Sequence, residues 1–325
     1  MPRPKMPRRS LNVPRPRSER RAMAPIVLMA CLALLCPCPD SASPQTKYST
    51  TGLVLKVDQG RQTFVVSCDS IPGYMDAMVM PFPVRDAKAL EGLVPGTIID
   101  FTLVVEKDAA YADDIRVRKY QSVEPDPDTT RRLKLLDGAF GSPTAKALEA
   151  GQMVPEFTLT DQNRRPVKLS QFSGKVVLVN FVYTRCALPN FCLRISNNFG
   201  VLQRRFRPRM GKDLIFLTVT FDPVHDTPEA MAHYAGIWHA DPENWRFLTG
   251  PPPEVARICA SFGVDFFPDE GLMDHSLHTA IIDPAGKLVV NIEGNEYTAG
   301  QLGDLVQTVL DRSSAHGHPR AGDTD

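Results

Sequence analysis

The positions between residues 47 and 120 alternate between apolar and polar in the manner of short β-strands. Alternating or β-rich apolar runs occupy 52–57, 63–66, 98–105 and 114–117, and turn-forming Pro and Gly residues separate them. No long apolar repeat of helical period occurs in this region. About five short strands in about 70 residues predict a small all-β, OB-like barrel.

The pattern changes between residues 151 and 312. Apolar runs rich in β-branched residues, which are typical of strands buried on both faces, alternate there with helical patterns. A hairpin and a last helix close the region. In chain order these segments are 176–182, 193–205, 214–220, a helix opened by Thr227-Pro228, 279–283, 288–291 and 298–310. This order predicts a three-layer α/β domain.

Residues 1–46 have the composition of an export leader. Eight basic side chains and one acidic side chain in the first 21 residues precede an apolar run at 24–35. A basic segment followed by a short apolar one is typical of a signal peptide, and the run is shorter than the about 20 residues that span a membrane. We therefore expect an exported protein, either periplasmic or anchored to the outer face of the cytoplasmic membrane. The anchor would be this segment or a lipid on Cys31.

Composition and charge exclude other classes of protein. Hydrophobic residues make up 43% of the chain and charged residues 23%, as in globular proteins. Lys and Arg equal Asp and Glu at 37 each, so the basic balance of a nucleic-acid-binding protein is missing and no nucleic-acid partner is expected. The acidic, proline-containing stretch at 121–150 is predicted to be a linker, and the polar residues 313–325 a mobile tail.

Two cysteines beyond the leader, Cys186 and Cys192, lie close together between a predicted strand and a predicted helix. Backbone amides at a helix N-terminus lower the pKa of a thiol. A thiolate is both the nucleophile of disulfide exchange and a soft metal ligand. The pair could therefore bind Cu(I), exchange disulfides, or form a static disulfide that braces the loop.

The sequence around this pair resembles the Sco/SenC family of thioredoxin-like copper chaperones over residues 153–312. The matching segments include GKVVLVNFVYTRC (174–186), TFDPVHDTP (220–228), WRFLTG (245–250) and DHS (274–276). The resemblance implies a thioredoxin-like fold and one copper held by two cysteines and a histidine. The ligands here would be Cys186, Cys192 and His275, with Asp222 as a supporting acid nearby.

The same resemblance implies a function and a partner. Members of the family deliver copper, or reducing equivalents, to the dinuclear copper site of cytochrome c oxidase during its assembly. The expected partner is therefore the oxidase subunit that carries this site, or another copper protein. This chain departs from the family at the cysteines: five residues separate them instead of three, and Ala187 and Leu193 stand where the family has prolines. The longer loop can still bring the sulfurs within bonding range, but it alters the expected affinity and redox potential.

A second group of soft side chains lies in the predicted barrel. Cys68, Met75, Met78 and Met80 place four sulfur atoms within thirteen residues. Met78 and Met80 are two apart, so on a strand their thioethers face the same side. Thioethers prefer Cu(I) and do not compete for hard ions. The alternative is that both methionines simply pack in the barrel core.

Residues 49–119 resemble the CusF-like periplasmic copper-binding domain, through Ile71-Pro72, MVMPF (78–82) and LVPG (93–96). In that family two methionines and a histidine hold copper beneath a tryptophan. The resemblance implies that Met78 and Met80 are the methionine ligands. Cys68 stands at the histidine position and Met75 about where the tryptophan would be, and both changes keep a soft sulfur.

Two soft-metal sites in one exported chain suggest a relay, in which the barrel captures Cu(I) and the α/β domain passes it on. The linker would allow the two domains to meet. Other functions remain open. The cysteine pair could serve a thiol-disulfide oxidoreductase or a peroxidase, since Thr184 and Arg185 precede Cys186. Both sites could instead sequester copper for resistance.

Overall fold

The computed structural model describes residues 45–119, 147–269 and 271–317, which all belong to one compact unit. Residues 1–44 of the predicted leader, most of the predicted linker and the end of the predicted tail lie outside the described residues, and the last predicted leader residue, Thr46, begins a strand. Within the described ranges, no helix combines the length and the apolar content needed to cross a membrane.

The N-terminal part of this unit, which we call the β domain, is a five-stranded antiparallel sheet. The all-β class and the number of strands predicted from the sequence are confirmed. A single parallel bridge between Val84 and Ala112 joins the two edges of the sheet. The sheet therefore curls towards a barrel but is not closed by a continuous ladder of hydrogen bonds. A short 3-10 helix, Ala87–Leu90, follows the third strand. The strands pair in the order β3-β2-β1-β4-β5 and are β1 (Thr46–Asp58), β2 (Thr63–Cys68), β3 (Met78–Pro83), β4 (Ile98–Val105) and β5 (Ala110–Val117).

The two faces of this sheet have different neighbours, as the strand β2 shows. Phe64, Val66 and Cys68 belong to the apolar core of the β domain itself. Val65 and Ser67 point the other way: Val65 packs against the core of the following domain, and Ser67 Oγ donates to Asp304 Oδ2 at 2.8 Å. This alternation follows from the pleat, which sends successive side chains to opposite faces.

The α/β domain is built on a mixed seven-stranded sheet, in the order β14-β13-β8-β9-β10-β6-β7. Its three central strands, β8, β9 and β10, are parallel. A separate hairpin, β11-β12, lies outside this sheet. In chain order the elements are β6 (Thr158–Asp161), β7 (Pro166–Lys168), a 3-10 helix (Leu169–Phe172), β8 (Val176–Val182), α1 (Cys192–Arg205), β9 (Leu214–Thr220), α2 (Pro228–Ile237), β10 (Trp245–Thr249), α3 (Pro252–Ser261), β11 (Phe266–Asp269), β12 (Leu272–His275), β13 (His278–Ile282), β14 (Leu288–Glu293) and α4 (Ala299–Gly317).

The central strands determine where functional loops can lie. Every residue of β8 and β9 is buried, as parallel strands covered on both faces require. Because these strands run in parallel and in register, their carboxyl ends reach the same edge of the sheet. The loops that leave β8 and β9 therefore begin side by side.

The β domain and the α/β domain share apolar core and polar contacts. Leu53, Leu55 and Ile98 of the β domain belong to the same core as the buried residues of the α/β domain. Gln301 of α4 donates through Nε2 to the Ser67 carbonyl at 3.2 Å and to Asp69 Oδ1 at 3.1 Å. Within the described residues the two domains are therefore packed against each other, and this contact does not depend on the linker.

Candidate metal centre

Cys186 and Cys192 occupy the crossover between β8 and α1. Cys186 lies four residues beyond the end of β8, and Cys192 is the first residue of α1. The longer loop between them turns back on itself, since the amide of Phe191 donates to the Leu188 carbonyl at 3.2 Å. Both cysteines are buried, although Leu188 between them is 54% exposed. The five-residue spacing thus folds into a turn that keeps both thiols inside and leaves residues 187–190 exposed to solvent.

His275 reaches the cysteines from the hairpin β11-β12, of which it is the last residue. Its ring packs against the aromatic rings of Tyr183, Phe191 and Phe221, with centroid separations of 5.6, 5.9 and 4.7 Å. Nδ1 lies 2.9 Å from the Ser276 carbonyl oxygen, which can only accept, so Nδ1 carries a proton. In the neutral ring, Nε2 therefore presents its lone pair on the side of Cys192 Sγ, 3.7 Å away.

The three predicted ligands come together. Ligand atoms of Cys186, Cys192 and His275 all lie within 4.8 Å of one another, and all three residues are buried. Two sulfurs and one imidazole nitrogen form a donor set that suits copper or zinc and not magnesium or calcium. The donor set therefore fits the copper that the sequence predicts.

The two thiols differ in their electrostatics. A hydrogen bond from the Cys192 thiol lowers the pKa of Cys186 to about 4, against the opposing effect of burial. Complete burial, together with the neighbouring Cys186, raises the pKa of Cys192 well above its ordinary value. At neutral pH the pair therefore consists of a Cys186 thiolate that accepts a hydrogen bond from a Cys192 thiol.

Asp222, the predicted supporting acid, lies beside the centre and contacts it through Arg185. Its Oδ2 accepts from Arg185 Nη2 at 2.7 Å, and its Oδ1 lies 2.8 Å from His225 Nδ1. Arg185 also donates to the Gly271 carbonyl at 3.2 Å, in the turn of the hairpin that carries His275. Arg185 thereby links the loop of Cys186, the loop after β9 and the hairpin.

Asp226 is a second acid near the centre, and the sequence reasoning assigned it no role. Its carboxylate accepts from the amide of Thr184 at 3.1 Å and from the Thr184 hydroxyl at 2.5 Å, and it also accepts from the Thr220 hydroxyl. Asp226 is fully buried, and this burial raises its pKa. It fixes the turn in which β8 leads to Cys186. The one sequence signal that could have identified Asp226 is its position in the segment 220–228 that resembles the family.

The sulfur cluster of the β domain lies across the strands β2 and β3. Cys68 pairs directly with Met78, and Val66 pairs with Met80, so the Cys68, Met78 and Met80 side chains share one face of the sheet. Cys68 is 1% exposed and Met78 is 44% exposed. Burial raises the pKa of the Cys68 thiol to about 12. Met75 forms a bridge with Ile71 in the connecting loop and packs against the same core.

The described cysteines, Cys68, Cys186, Cys192 and Cys259, are all free thiols. The static disulfide considered for Cys186 and Cys192 is therefore not the form described by this structure. Their sulfurs remain close enough for a disulfide to form on oxidation, because both belong to the cluster within 4.8 Å.

Family models match both parts of the chain. The SCO1/SenC model matches residues 145–310. The model of the copper-binding periplasmic protein CusF matches residues 47–115. These two ranges correspond to the α/β domain and the β domain.

Curated relatives match the α/β region. Protein sco1 of Schizosaccharomyces pombe is 29% identical over 159 residues, which cover 46% of this chain and 58% of that protein. The SCO1 protein homolog of Bacillus subtilis is 27% identical over 166 residues, which cover 50% of this chain and 83% of the relative. A putative copper-binding protein of Stutzerimonas stutzeri is 26% identical over 140 residues, which cover 42% of this chain and 66% of the relative. The match to the fission-yeast protein thus spans less than two thirds of its length.

Solved structures of similar proteins include two with copper bound. ScoI of Bradyrhizobium japonicum has a TM-score of 0.41 and 26% identity, and the match covers 48% of this chain and 99% of that one. ScoI of Arabidopsis thaliana has a TM-score of 0.44 and 22% identity, and the match covers 50% and 99% of the respective chains. Because the SCO1/SenC model matches half of the sequence, this chain belongs to the SCO1/SenC family.

Proposed function

We propose that this protein is a copper metallochaperone whose main site consists of Cys186, Cys192 and His275. The observation that carries the proposal is the grouping of their two sulfurs and one imidazole nitrogen within 4.8 Å, in a buried position. Thiolate and imidazole bind copper in preference to hard cations. Copper is cargo here, so the site must also release it. The ligands come from the loop after β8, the first residue of α1 and the hairpin β11-β12, and the exposed loop residues 187–190 between the cysteines are open to a partner protein.

The recipient that we propose is the dinuclear copper site of cytochrome c oxidase during its assembly. Membership in the SCO1/SenC family supports this recipient. We further propose that the protein acts outside the cytoplasmic membrane, in the periplasm or anchored to the outer face of that membrane. The basic and apolar leader supports export, as does the match of residues 47–115 to a protein described as periplasmic.

A second copper site in the β domain is part of the same proposal. Its ligands would be Met78, Met80 and Cys68, with Met75 beside them. The pairing of Cys68 with Met78 across two strands, and the shared face of Met78 and Met80, support this ligand set. The exposed Met78 would give incoming Cu(I) its first contact, since the Cys68 thiol is buried and protonated at neutral pH.

Copper stoichiometry tests both sites. We expect the chain from Ser43 onward, reduced and loaded with Cu(I) without oxygen, to retain two copper ions per molecule. Cys186→Ser, or Met78→Leu with Met80→Leu, should each leave one. Cys259→Ala and Met153→Leu are matched controls, because Cys259 is a buried thiol outside both clusters and Met153 is 57% exposed. Two copper ions retained by the Cys186→Ser variant would refute the main site.

A second candidate function is thiol-disulfide exchange, which the unequal pKa values of the two cysteines favour. The Cys186 thiolate would attack a disulfide of the substrate and form a mixed disulfide, releasing one substrate thiolate. Cys192 would then lose its proton, attack the Cys186 sulfur and release the second substrate thiol. The products are a reduced substrate and a Cys186–Cys192 disulfide. Cys192→Ser should trap the mixed disulfide, whereas a protein that acts only as a copper carrier would accumulate none.

A further inference from the structure

The sulfur cluster of the β domain and the surface that holds this domain in place lie on opposite faces of one sheet. Cys68, Met78 and Met80 share the face that also carries Val66. Ser67 lies on the other face, where its hydroxyl bonds to Asp304 of α4. The pleat fixes this separation, since no rotation of a side chain moves it to the other face. The cluster therefore faces away from α4.

The β domain is also held firmly in this orientation. Leu53, Leu55 and Ile98 are buried in the core that it shares with the α/β domain. Gln301 bonds to the Ser67 carbonyl and to the Asp69 carboxylate, next to Cys68. To turn the face that carries Met78 towards α4 within one molecule, the shared core would have to open and these bonds would have to break.

Exposed apolar side chains nevertheless surround each site on the outside of the molecule. Met78 and its neighbour Val79 are each 44% exposed on the edge strand β3. Leu188, Val224 and Leu272 are also more than half exposed. These three apolar side chains come from the loop between the cysteines, the loop after β9 and the hairpin of His275. A partner that approached the main site would meet them first.

One charged residue close in sequence to each site has the opposite sign to that near the other site. Asp76 is exposed and precedes Met78 by two residues. Arg194 follows Cys192 by two residues on α1, is partly exposed, and donates to the Tyr297 carbonyl at 3.4 Å. A β domain presenting Met78 to the main site of another molecule would therefore bring an acidic group towards a basic one.

From these observations we infer that copper passes between two molecules of this protein, from the β domain of one to Cys186, Cys192 and His275 of the other. The inference rests on the proposed function, because it requires copper at both sites. Copper remains Cu(I) throughout. Each bond from copper to a sulfur of the β domain breaks as a bond to a ligand of the receiving site forms. A proton from a receiving thiol goes to solvent, and the Cys68 thiolate takes up a proton from solvent as copper leaves it. No oxidant or reductant is needed.

Two full-length variants separate transfer between molecules from transfer within one. Cys186→Ser leaves only the β-domain site intact, and Met78→Leu with Met80→Leu leaves only the main site intact. Cu(I) is supplied as a soluble chelate to three samples: the wild type, an equimolar mixture of the two variants, and the second variant alone. The near-ultraviolet absorption of copper bound to two cysteine sulfurs reports loading of the main site. The three samples contain equal concentrations of intact main sites.

We expect the mixture to load within twofold of the wild-type rate and faster than the second variant alone. When the mixture is diluted tenfold at constant chelate concentration, the part of the loading that depends on the first variant should slow about tenfold. Asp76→Lys in the molecule that supplies copper should slow transfer without lowering the copper it binds. Adding Arg194→Glu in the receiving molecule should restore the rate, and Asp311→Lys, on an exposed acid of α4, is the control.

Other outcomes overturn the inference. If the wild type loads much faster than the mixture and its rate does not change on dilution, copper moves within one molecule. If all three samples load alike, the β domain supplies no copper to the main site. Both results leave the proposed function intact, because copper is still bound. If neither variant binds copper, the proposed function itself fails.

Discussion

Cys186 and Cys192 occupy different chemical states although both are buried and lie six positions apart, one in the loop after β8 and the other at the start of α1. The sequence placed both near a helix N-terminus, which predicted a lowered thiol pKa without saying for which cysteine. The structure assigns the lowered pKa, about 4, to Cys186, because Cys192 donates a hydrogen bond to it. Burial holds Cys192 in the protonated form. This difference depends on how α1 packs against the sheet. The spacing of the two cysteines in the sequence gives no information about that packing.

The first prediction concerns the reactivity of this pair. In the metal-free, reduced protein, alkylation of Cys186 by iodoacetamide should have a rate that is constant from about pH 5.5 to 8. The rate should fall as the pH drops through about 4, because the thiolate is then lost. Mass spectrometry of the digested protein gives the rate at each cysteine. Cys259, whose pKa is raised by burial, is the internal control and should remain unmodified. A Cys186 rate that still rises above pH 8 would contradict the assignment.

Asp226 leads to a second prediction at the scale of single residues. Its carboxylate holds the amide and hydroxyl of Thr184 two residues before Cys186. Asp226→Asn replaces one accepting oxygen by an NH2 group, which cannot accept from Thr184 or Thr220. We expect the free energy of unfolding in urea to fall by about 2 kcal/mol. Asp311→Asn, an exposed carboxylate on α4, should change it by less than about 0.5 kcal/mol. Equal effects of the two substitutions would mean that the buried network contributes nothing to stability.

At the scale of secondary structure, the strongest patterns were recognised and the weakest were missed. The buried strands β8 and β9 carry long β-branched runs, and the structure has both where the sequence predicted them. The hairpin of β11 and β12 was not predicted. Each of its strands is four residues long and contains Pro or Asp, so neither shows a usable alternation. His275 was nevertheless identified, from the resemblance of its segment to a family and not from its element.

The unusual loop between Cys186 and Cys192 is held by a contact from outside it. The side-chain amide of Asn295 donates to the carbonyl of Asn190, and Asn295 is buried. The loop carries one cysteine at its start and is followed by the other in α1. Its conformation therefore determines how the sulfurs are placed before copper arrives.

Removal of this contact is the third prediction. Asn295→Ala should weaken Cu(I) binding at the main site about fivefold, the equivalent of about 1 kcal/mol for one part-buried hydrogen bond. Competition with a Cu(I) chelator of known affinity measures the change, and the copper stoichiometry should stay the same. Asn163→Ala, at an exposed turn far along the chain from either cysteine, is the control. If the affinity of the Asn295→Ala protein is unchanged, the five-residue loop holds its shape without this anchor.

At the scale of the whole molecule, the sequence predicted two domains and a linker that lets them meet. The structure describes two domains that already share a core. The sequence could not reveal this contact, because Leu53 and Val54 are adjacent apolar residues and the pattern does not say which core receives each. The register of β1 and β2 decides it: Val54 belongs to the core of the β domain and Leu53 to the shared core.

The shared core makes a last prediction, which concerns stability across the two domains. Trp238 and Trp245 are the only tryptophans of the chain, and both lie in the α/β domain, so tryptophan fluorescence reports the unfolding of that domain. Leu53→Ala removes a fully buried side chain on the β domain, yet it should lower the free energy of that fluorescence transition by about 2–5 kcal/mol. Lys56→Ala, three residues along the same strand and exposed, should change it by less than about 0.5 kcal/mol. If Leu53→Ala leaves the free energy of the fluorescence transition unchanged, the two domains unfold independently. In that case the β domain could separate and turn its sulfur cluster towards Cys186 of its own molecule, and transfer between molecules would no longer be required.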